Sequence, residues 1–358
     1  MYNNYQNILF GKIYTYHKYS MSLKLENISF QYKKNKLFAL QNVNLDIATG
    51  DIAGILGHSG CGKSTLLQII TGIRKPSSGK IFLHNRAIHP DLSPEHRKVG
   101  MIFQSPSLFP HKTVIENIIF AIPDTLSYKQ KQEQAYHYLN LVEMEKYATF
   151  LPSMISGGQQ QLVTLARAFA HQAKILLLDE PFNSLDIHLR KQMLEKTCEI
   201  IKKAKLTTLL VTHDPSEALQ VSDKIYIMQT GHIQEAVTPD EAYINPIDLK
   251  TAQFFGCVNK IYGSRKDKFI ETQWGSIQVP SNDHNIYSRP EALYIINHTE
   301  HQTTAEGTVV RKHIFNQNIQ VLIGQYKYWV KTSIHNIPDI GDKVLVSLDP
   351  KQLLFFNH

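Results

Sequence analysis

The chain has 358 residues, 42% of them hydrophobic, with 38 Lys and Arg against 31 Asp and Glu and a formal net charge of +7. That length exceeds one domain of ~150 residues and supports a sizeable core, and the composition excludes collagen-like and disordered classes. So modest a positive surplus permits contact with an anionic surface but falls short of a dedicated nucleic-acid binder.

Residues 1–20 contain Tyr2, Tyr5, Tyr14, Tyr16 and Tyr19 but no apolar h-region, so no signal peptide is expected; residues 1–21 read as an extension, with Met21 an alternative start. From Leu23 the chain alternates (Leu23, Leu25, Ile28, Phe30) and resumes at Leu40, Val43, Leu45 and Ile47, predicting half-buried antiparallel strands. Residues 52–56 predict a short buried strand, residues 57–62 a glycine-punctuated loop, and Lys63 to Ile70 a helix stopped at Gly72. Residues 126–170 read mostly helical. Lys174 to Leu178 and Thr207 to Val211 are compact apolar strands separated by a helical stretch, the rhythm of a parallel α/β sheet. The helical pattern breaks around Pro239, Pro246 and Gly256, and short alternating strands follow at Ile277 with Val279, Ile319 to Ile323, Tyr328 to Lys331 and Val344 to Leu348, so an all-β domain is expected from residue 257. Cys61, Cys198 and Cys257 form no CxxC pair, so neither a disulfide framework nor a zinc site is predicted and the cytosol is the natural compartment. The apolar runs Ile118 to Ile122 and Ile175 to Leu178 fall far below the ~18 residues a spanning helix needs.

Chemistry concentrates in three places. Gly57-His58-Ser59-Gly60-Cys61-Gly62-Lys63-Ser64-Thr65 fits GxxxxGK[ST] between a strand and a helix. Its glycines let backbone N–H groups converge on phosphate oxygens, Lys63 suits the β and γ phosphates, and Ser64 suits Mg²⁺. Ile175 to Leu178 ends in Asp179 and Glu180, which a buried strand delivers to the sheet's carboxyl edge; Asp179 would serve the metal and Glu180 would polarise the attacking water. Ser156-Gly157-Gly158-Gln159 precedes an amphipathic helix. Ser156 with Gln159 is the spacing of a capping box, yet bare amides beside two glycines also form an anion site, suited to a partner chain's nucleotide.

In this order the three motifs resemble the ATP-hydrolysing subunits of ABC transporters, over roughly residues 22–256. The resemblance implies a P-loop ABC ATPase domain with a parallel-sheet core, an antiparallel β subdomain and a helical subdomain at about 105–172, followed by a small all-β OB-like domain. It implies that Tyr32 stacks on adenine, Gln104 senses Mg²⁺ and the attacking water, and His213 contacts the γ-phosphate. On the residues alone, Tyr32 could equally be a strand aromatic, Gln104 a surface amide and His213 a strand-end cap. Asn183-Ser184-Leu185-Asp186 sits where the D-loop belongs, and Ser156, Gly157, Gly158, Gln159 and Asp186 would close over ATP held by the other subunit. Three positions depart from the family text: Ile155 replaces a leucine, Asn183 a serine, and Leu162 the basic residue that usually follows the glutamines, which puts the electrostatics of the signature helix in question.

Residues 257–358 resemble the TOBE domain of importers for ferric ion, polyamines, maltose, molybdate or sulfate, including the tag Arg289-Pro290-Glu291. Val99 to Gln104 with Leu108 to His111, and Ala252 to Gly256, are similar to ferric-ion import ATPases; polyamine, sulfate or molybdate and sugar importers stay open. The implied partners are a second copy of the chain, membrane permease subunits and, indirectly, a periplasmic solute-binding protein, at the cytoplasmic face of the inner membrane. The implied cofactors are ATP and Mg²⁺. His84, His89, His96 and His111 lack helical ligand spacing and read as solvated. Chromosome-maintenance ATPases are disfavoured by the short span between Lys63 and Asp179, and ribosome-acting relatives by the single cassette. A regulator reading nucleic acid through a C-terminal barrel is the remaining alternative class.

Overall fold

Leu23, Leu25 and Ile28 of β1 (Met21–Gln31) and Leu40, Val43, Leu45 and Ile47 of β2 (Phe38–Ala48) bury one common face of an antiparallel pair, with Leu25 opposite Leu45. The three-residue step from Leu25 to Ile28 is a register shift, and Asn27 adopts left-handed φ 52° there, restoring the apolar face. The computed structural model describes residues 21–32, 38–183, 185–234, 236–280, 284–296, 304–313, 317–333 and 337–357. The N-terminal extension up to residue 20 and Ser184 of the predicted D-loop lie outside the described residues. The chain divides between Pro239 and Asp240 into two compact units.

In the first unit the chain continues through β3 (Ile52–Leu56), α1 (Lys63–Thr71), β4 (Ser78–Leu83), β5 (Arg86–Ile88) and β6 (Val99–Ile102). Helices α2 (Val114–Ile119), α3 (Tyr128–Leu141) and α4 (Gly157–Ala170) come next. Then follow β7 (Ile175–Asp179), α5 (Ile187–Lys203), β8 (Thr207–Thr212), α6 (Pro215–Val221), β9 (Lys224–Gln229) and β10 (His232–Ile233). One sheet has the order β2-β1-β4-β5; the other has the order β10-β9-β3-β8-β7-β6, parallel throughout except for β10. Strands β3 and β8 are buried at every position, which is why they read as unbroken apolar or Thr-rich runs instead of alternating. The sequence expectation of a helical 126–170 resolves into α3 and α4, separated by short 3₁₀ turns at Glu145–Tyr147 and Pro152–Met154. Leu139 of α3, Val114 and Ile118 of α2, and Leu162, Leu165 and Ala166 of α4 share one buried cluster. No helix among the described residues is long and apolar enough to cross a membrane.

The second unit opens with two helices, α7 (Pro239–Ile244) and α8 (Leu249–Phe254), in the stretch where the prolines suggested that helix would cease. Pro239 occupies a first turn, where its missing N–H costs nothing, and Asp248 caps α8 by accepting from the Thr251 amide at 2.6 Å. Arg289 donates to the Tyr243 carbonyl at 3.0 and 2.9 Å and to the Ala252 carbonyl at 3.2 Å, tying both helices to the β region. That region comprises β11 (Asn259–Ile261), β12 (Gly263–Lys266), β13 (Phe269–Thr272), β14 (Gly275–Gln278), β15 (His284–Ser288), β16 (Leu293–Ile296), β17 (Thr304–His313), β18 (Asn318–Ile323), β19 (Tyr326–Lys331), β20 (Lys343–Leu348) and β21 (Leu353–Asn357). Strands β16-β19-β18-β17-β20 close a barrel, while β11-β15-β21 and β12-β13-β14 form two small sheets. Trp274 is almost fully buried; its indole donates to the Val346 carbonyl at 3.0 Å and meets Tyr328 edge-on at 5.0 Å.

Candidate nucleotide-binding and catalytic site

Four neighbouring parallel strands, β3, β8, β7 and β6, run the same way, so their carboxyl ends deliver the Gly57 loop, His213, Asp179 with Glu180, and Gln104 to one edge. The loop from Gly57 to Gly62 leads into α1. Gly62 has φ 115°, and a Cβ there would lie 2.6 Å from the Ala39 carbonyl oxygen, so only glycine fits. Gly57 is equally constrained, since a Cβ would stand 2.5 Å from the Met228 carbonyl oxygen and 2.7 Å from Cys61 Sγ. Lys63 is only 6% exposed and donates to the carbonyls of Gly57 at 2.6 Å and His58 at 3.1 Å, which fixes its cation inside the curve of the loop.

A cleft of about 470 Å³ brings Ser59, Gly60, Gly62, Lys63, Ser64 and Thr65 together with Tyr32, Gln104, Asp179 and Glu180. Gly57 and His58 contribute carbonyls to the loop without lining the cleft, and Cys61 turns into the core, where burial pushes its thiol pKa up. Tyr32 borders the cleft, its hydroxyl 2.9 Å from Thr65 Oγ1.

The acidic end of the cleft is tightly ordered. Burial, and then the neighbouring charge of Glu180, raise the Asp179 pKa, while a hydrogen bond with Ser64 and the charge of Lys63 oppose the rise. Ser64, Asp179 and the Gln104 amide offer hard oxygen donors around one space. Glu180 takes left-handed φ 46°, and its amide donates to the Val211 carbonyl at 2.9 Å, which pins the residue between β7 and β8. Its Oε2 lies 3.2 Å from His213 Nδ1 and accepts from the Asn183 side-chain amide. A carboxylate so held beside an imidazole has the chemistry of a general base, able to orient a water.

Ser156, Gly157, Gly158, Gln159 and Asp186 do not line this cleft. Ser156 caps α4 through a full capping box: the Gln159 amide donates to Ser156 Oγ at 3.3 Å and the Ser156 amide to Gln159 Oε1 at 2.8 Å. Asp186 caps α5, accepting from the amides of His188 and Leu189. The α4 N-terminus thus presents exposed Ser156 and Gly157. Leu162 is 3% exposed and packs in the core, so an apolar residue suits its environment.

One residue that sequence reasoning passed over ties these parts together. Gln161 is buried, and its amide donates to the carbonyl of Pro181 at 2.7 Å, of Gln104 at 3.3 Å and of Phe103 at 3.4 Å. It joins α4 to the segments carrying Gln104 and Glu180. The available signal was a third consecutive glutamine placed on the helix's buried side, where an unpaired amide would be costly. Arg190 likewise donates to the carbonyls of Asn183 at 3.1 Å and Leu185 at 3.2 Å, shaping the loop that reaches Glu180.

A glycine loop feeding a helix, an acidic pair at the end of the next strand but one and a histidine at the end of the strand between them define a P-loop nucleotide hydrolase. The family described as ABC transporter matches residues 40–183. The chain is 39% identical over 262 residues to the spermidine/putrescine import ATP-binding protein PotA of Legionella pneumophila strain Paris, covering 72% of this chain and 71% of that one. It is 34% identical over 351 residues to the sulfate/thiosulfate import ATP-binding protein CysA of Mannheimia succiniciproducens (89% and 97%). It is 32% identical over 341 residues to the Fe(3+) ions import ATP-binding protein FbpC of Escherichia coli O157:H7 (92% and 95%). Among solved structures, cbiO1 from Clostridium perfringens superposes with TM-score 0.58 at 29% identity, over 62% of this chain and 90% of that one. A dimeric ATP-binding cassette in a post-hydrolysis state with ADP and Pi gives TM-score 0.53 at 31% identity, over 61% and 98%. The chain belongs to the ABC transporter family, in the group of import ATP-binding subunits.

Proposed function

We propose that this chain powers solute import as a homodimer, each ATP lying between the Gly57 to Thr65 loop of one copy and Ser156, Gly157, Gly158, Gln159 and Asp186 of the other. The observation that carries the reading is the meeting of Glu180, Asn183 and His213 at the cleft holding Lys63 and Ser64. The separation of the α4 N-terminus from that cleft supports a site shared between two chains. The dimeric cassette with ADP and Pi supports it further, as a property of a relative.

In this mechanism Tyr32 stacks the base, the loop amides and Lys63 hold the phosphates, and Glu180 orients water while His213 fixes the carboxylate and reaches toward the γ-phosphate. The donors fit Mg²⁺: one half-buried carboxylate, one hydroxyl and one amide carbonyl leave room for phosphate and water, the ligand set this ion prefers. Ser64, Asp179 and Gln104 would hold it, and it would neutralise charge building on the phosphates. Closure would pass to membrane permease subunits through the segment after Gln104, at the cytoplasmic face of the inner membrane, with a periplasmic solute-binding protein upstream. No nucleic acid enters this reading.

For the cargo we propose ferric ion, supported by the likeness of Val99 to Gln104, Leu108 to His111 and Ala252 to Gly256 and by the relative FbpC across 92% of the chain. A polyamine is the second reading, favoured by the higher 39% identity to PotA over a shorter span. The test is uptake of labelled ferric ion and labelled spermidine by cells with and without the gene. Loss of iron uptake alone supports the first reading, and loss of spermidine uptake alone supports the second. Retention of both overturns both cargo readings, and a chain without ATPase activity overturns the role itself.

A further inference from the structure

Tyr32 is held from two sides by the helix that follows the phosphate loop. Its hydroxyl meets Thr65 Oγ1 at 2.9 Å, and the guanidinium carbon of Arg74 lies 4.9 Å from its ring centroid. Arg74 is itself fixed to α1: its Nε donates to Gln68 Oε1 at 2.5 Å and its amide to the Gln68 carbonyl at 3.0 Å. Thr65 and Gln68 are three residues apart and so share one helix face. The chain can return Arg74 to that face because Gly72 ends α1 in left-handed φ 89°. Phe30 closes the arrangement, edge-on to Tyr32 at 5.0 Å and 85°, with the guanidinium also 5.8 Å from the Phe30 centroid. Tyr32 lines the cleft whereas Arg74 does not.

We propose that Arg74 is a positioning residue that clamps Tyr32 into a fixed platform for the nucleotide base, joined to the phosphate loop as one body through Thr65 and Gln68. This rests on the reading of Tyr32 as the base-stacking aromatic. A free tyrosine at a strand end must be ordered when a base docks on it, and that ordering weakens binding. A guanidinium held against the ring restrains it in advance and so lowers that cost. The clamp acts on the base alone, so it lowers the concentration of ATP required without touching the chemical step.

The experiment uses steady-state ATP hydrolysis by the full chain, with inorganic tripolyphosphate as a competitive probe of the phosphate loop. Arg74→Gln is expected to raise KM for ATP about three- to tenfold with kcat changed by less than about twofold. Tripolyphosphate inhibition stays as in the unaltered chain, which also reports an intact fold. In a Tyr32→Leu background the same substitution adds nothing, because the ring it acts on is gone. Arg74→Lys keeps a charge but loses the planar fork and falls between the two. An unchanged KM in Arg74→Gln beside a raised KM in Tyr32→Leu overturns the clamp alone. Equal weakening of ATP and tripolyphosphate also overturns it, since Arg74 would then act through α1. An unchanged KM in Tyr32→Leu overturns the base-platform reading, and the clamp with it.

Discussion

The carboxylate of Glu180 and the imidazole of His213 meet at 3.2 Å, each brought there by the end of a different parallel strand. Asn183 donates to the same Oε2, so the oxygen that would orient water is restrained from two directions. Replacing Glu180 with Gln keeps its size and removes the charge. ATP binding is expected to persist while turnover falls by ~10² or more. Hydrolysis at the unaltered rate, measured by phosphate release, would remove Glu180 from its assigned role.

Ser156 is exposed at the N-terminus of α4 and absent from the cleft of its own chain. Ser156→Arg puts a bulky cation where the proposed dimer brings the partner's nucleotide, and it also removes the cap, at a cost of about 1 kcal/mol. In a Glu180→Gln background, ATP-dependent dimers seen by size exclusion should vanish while each chain still binds ATP. Persistence of those dimers would count against a shared site.

Arg289 ties α7 and α8 to the β region, and the chain divides at Pro239. The sequence reading set its boundary at residue 257, between α8 and the first β strand. A chain ending at Pro239 should fold and bind ATP, since every residue assigned to nucleotide precedes it. A chain ending at Gly256 should bind equally well but lose protection of amides in α7 and α8, because Tyr243 and Ala252 no longer meet Arg289. A folded chain ending at Pro239 that fails to bind ATP would show that the second unit helps build the site.

Cys198 is buried and its thiol is pushed up to about 12, chiefly by desolvation, and burial raises Cys61 as well. Cys257 is exposed. A thiol reagent at neutral pH should therefore titrate one cysteine per native chain and all three in denaturant. Two or more fast equivalents in the native chain would contradict this burial.

Glu217 is 6% exposed; burial is the main cause raising its pKa, with the hydrogen bond from Thr212 Oγ1 at 2.6 Å opposing it. Its Oε1 has no hydrogen-bond partner among the described residues. A raised native pKa means the folded chain holds this proton more tightly than the unfolded one. The contribution is complete below the ordinary glutamate range and is lost as pH rises through the native pKa. Relative to Glu217→Gln, the unaltered chain should lose stability as pH rises from the ordinary glutamate range through the raised native pKa, read from urea midpoints. A difference independent of pH would show that Glu217 does not titrate as argued.

Sequence alone determined the parts whose chemistry is local. Gly57 to Thr65 is legible because a phosphate cradle needs glycines, a lysine and a hydroxyl at fixed spacing on one strand–helix turn. Ile175 to Glu180 is legible because a strand buried on both faces must be apolar until it reaches solvent. Ser156 and Gln159 announced their capping box by spacing, and the structure forms it. The helices within 239–254 were not legible, because two prolines and a glycine mask them and their support comes from Arg289, far along the chain. Only tertiary structure decided what depends on strand order. The sequence β3-β8-β7-β6 places four distant segments side by side, which sets Glu180 against His213 and lets Gln161 bridge Gln104 and Pro181. Tertiary packing also set Arg74, in the turn after α1, against Tyr32 at the end of β1. Pairing between remote segments leaves no periodicity in either one, because the matching surface lies in the other segment.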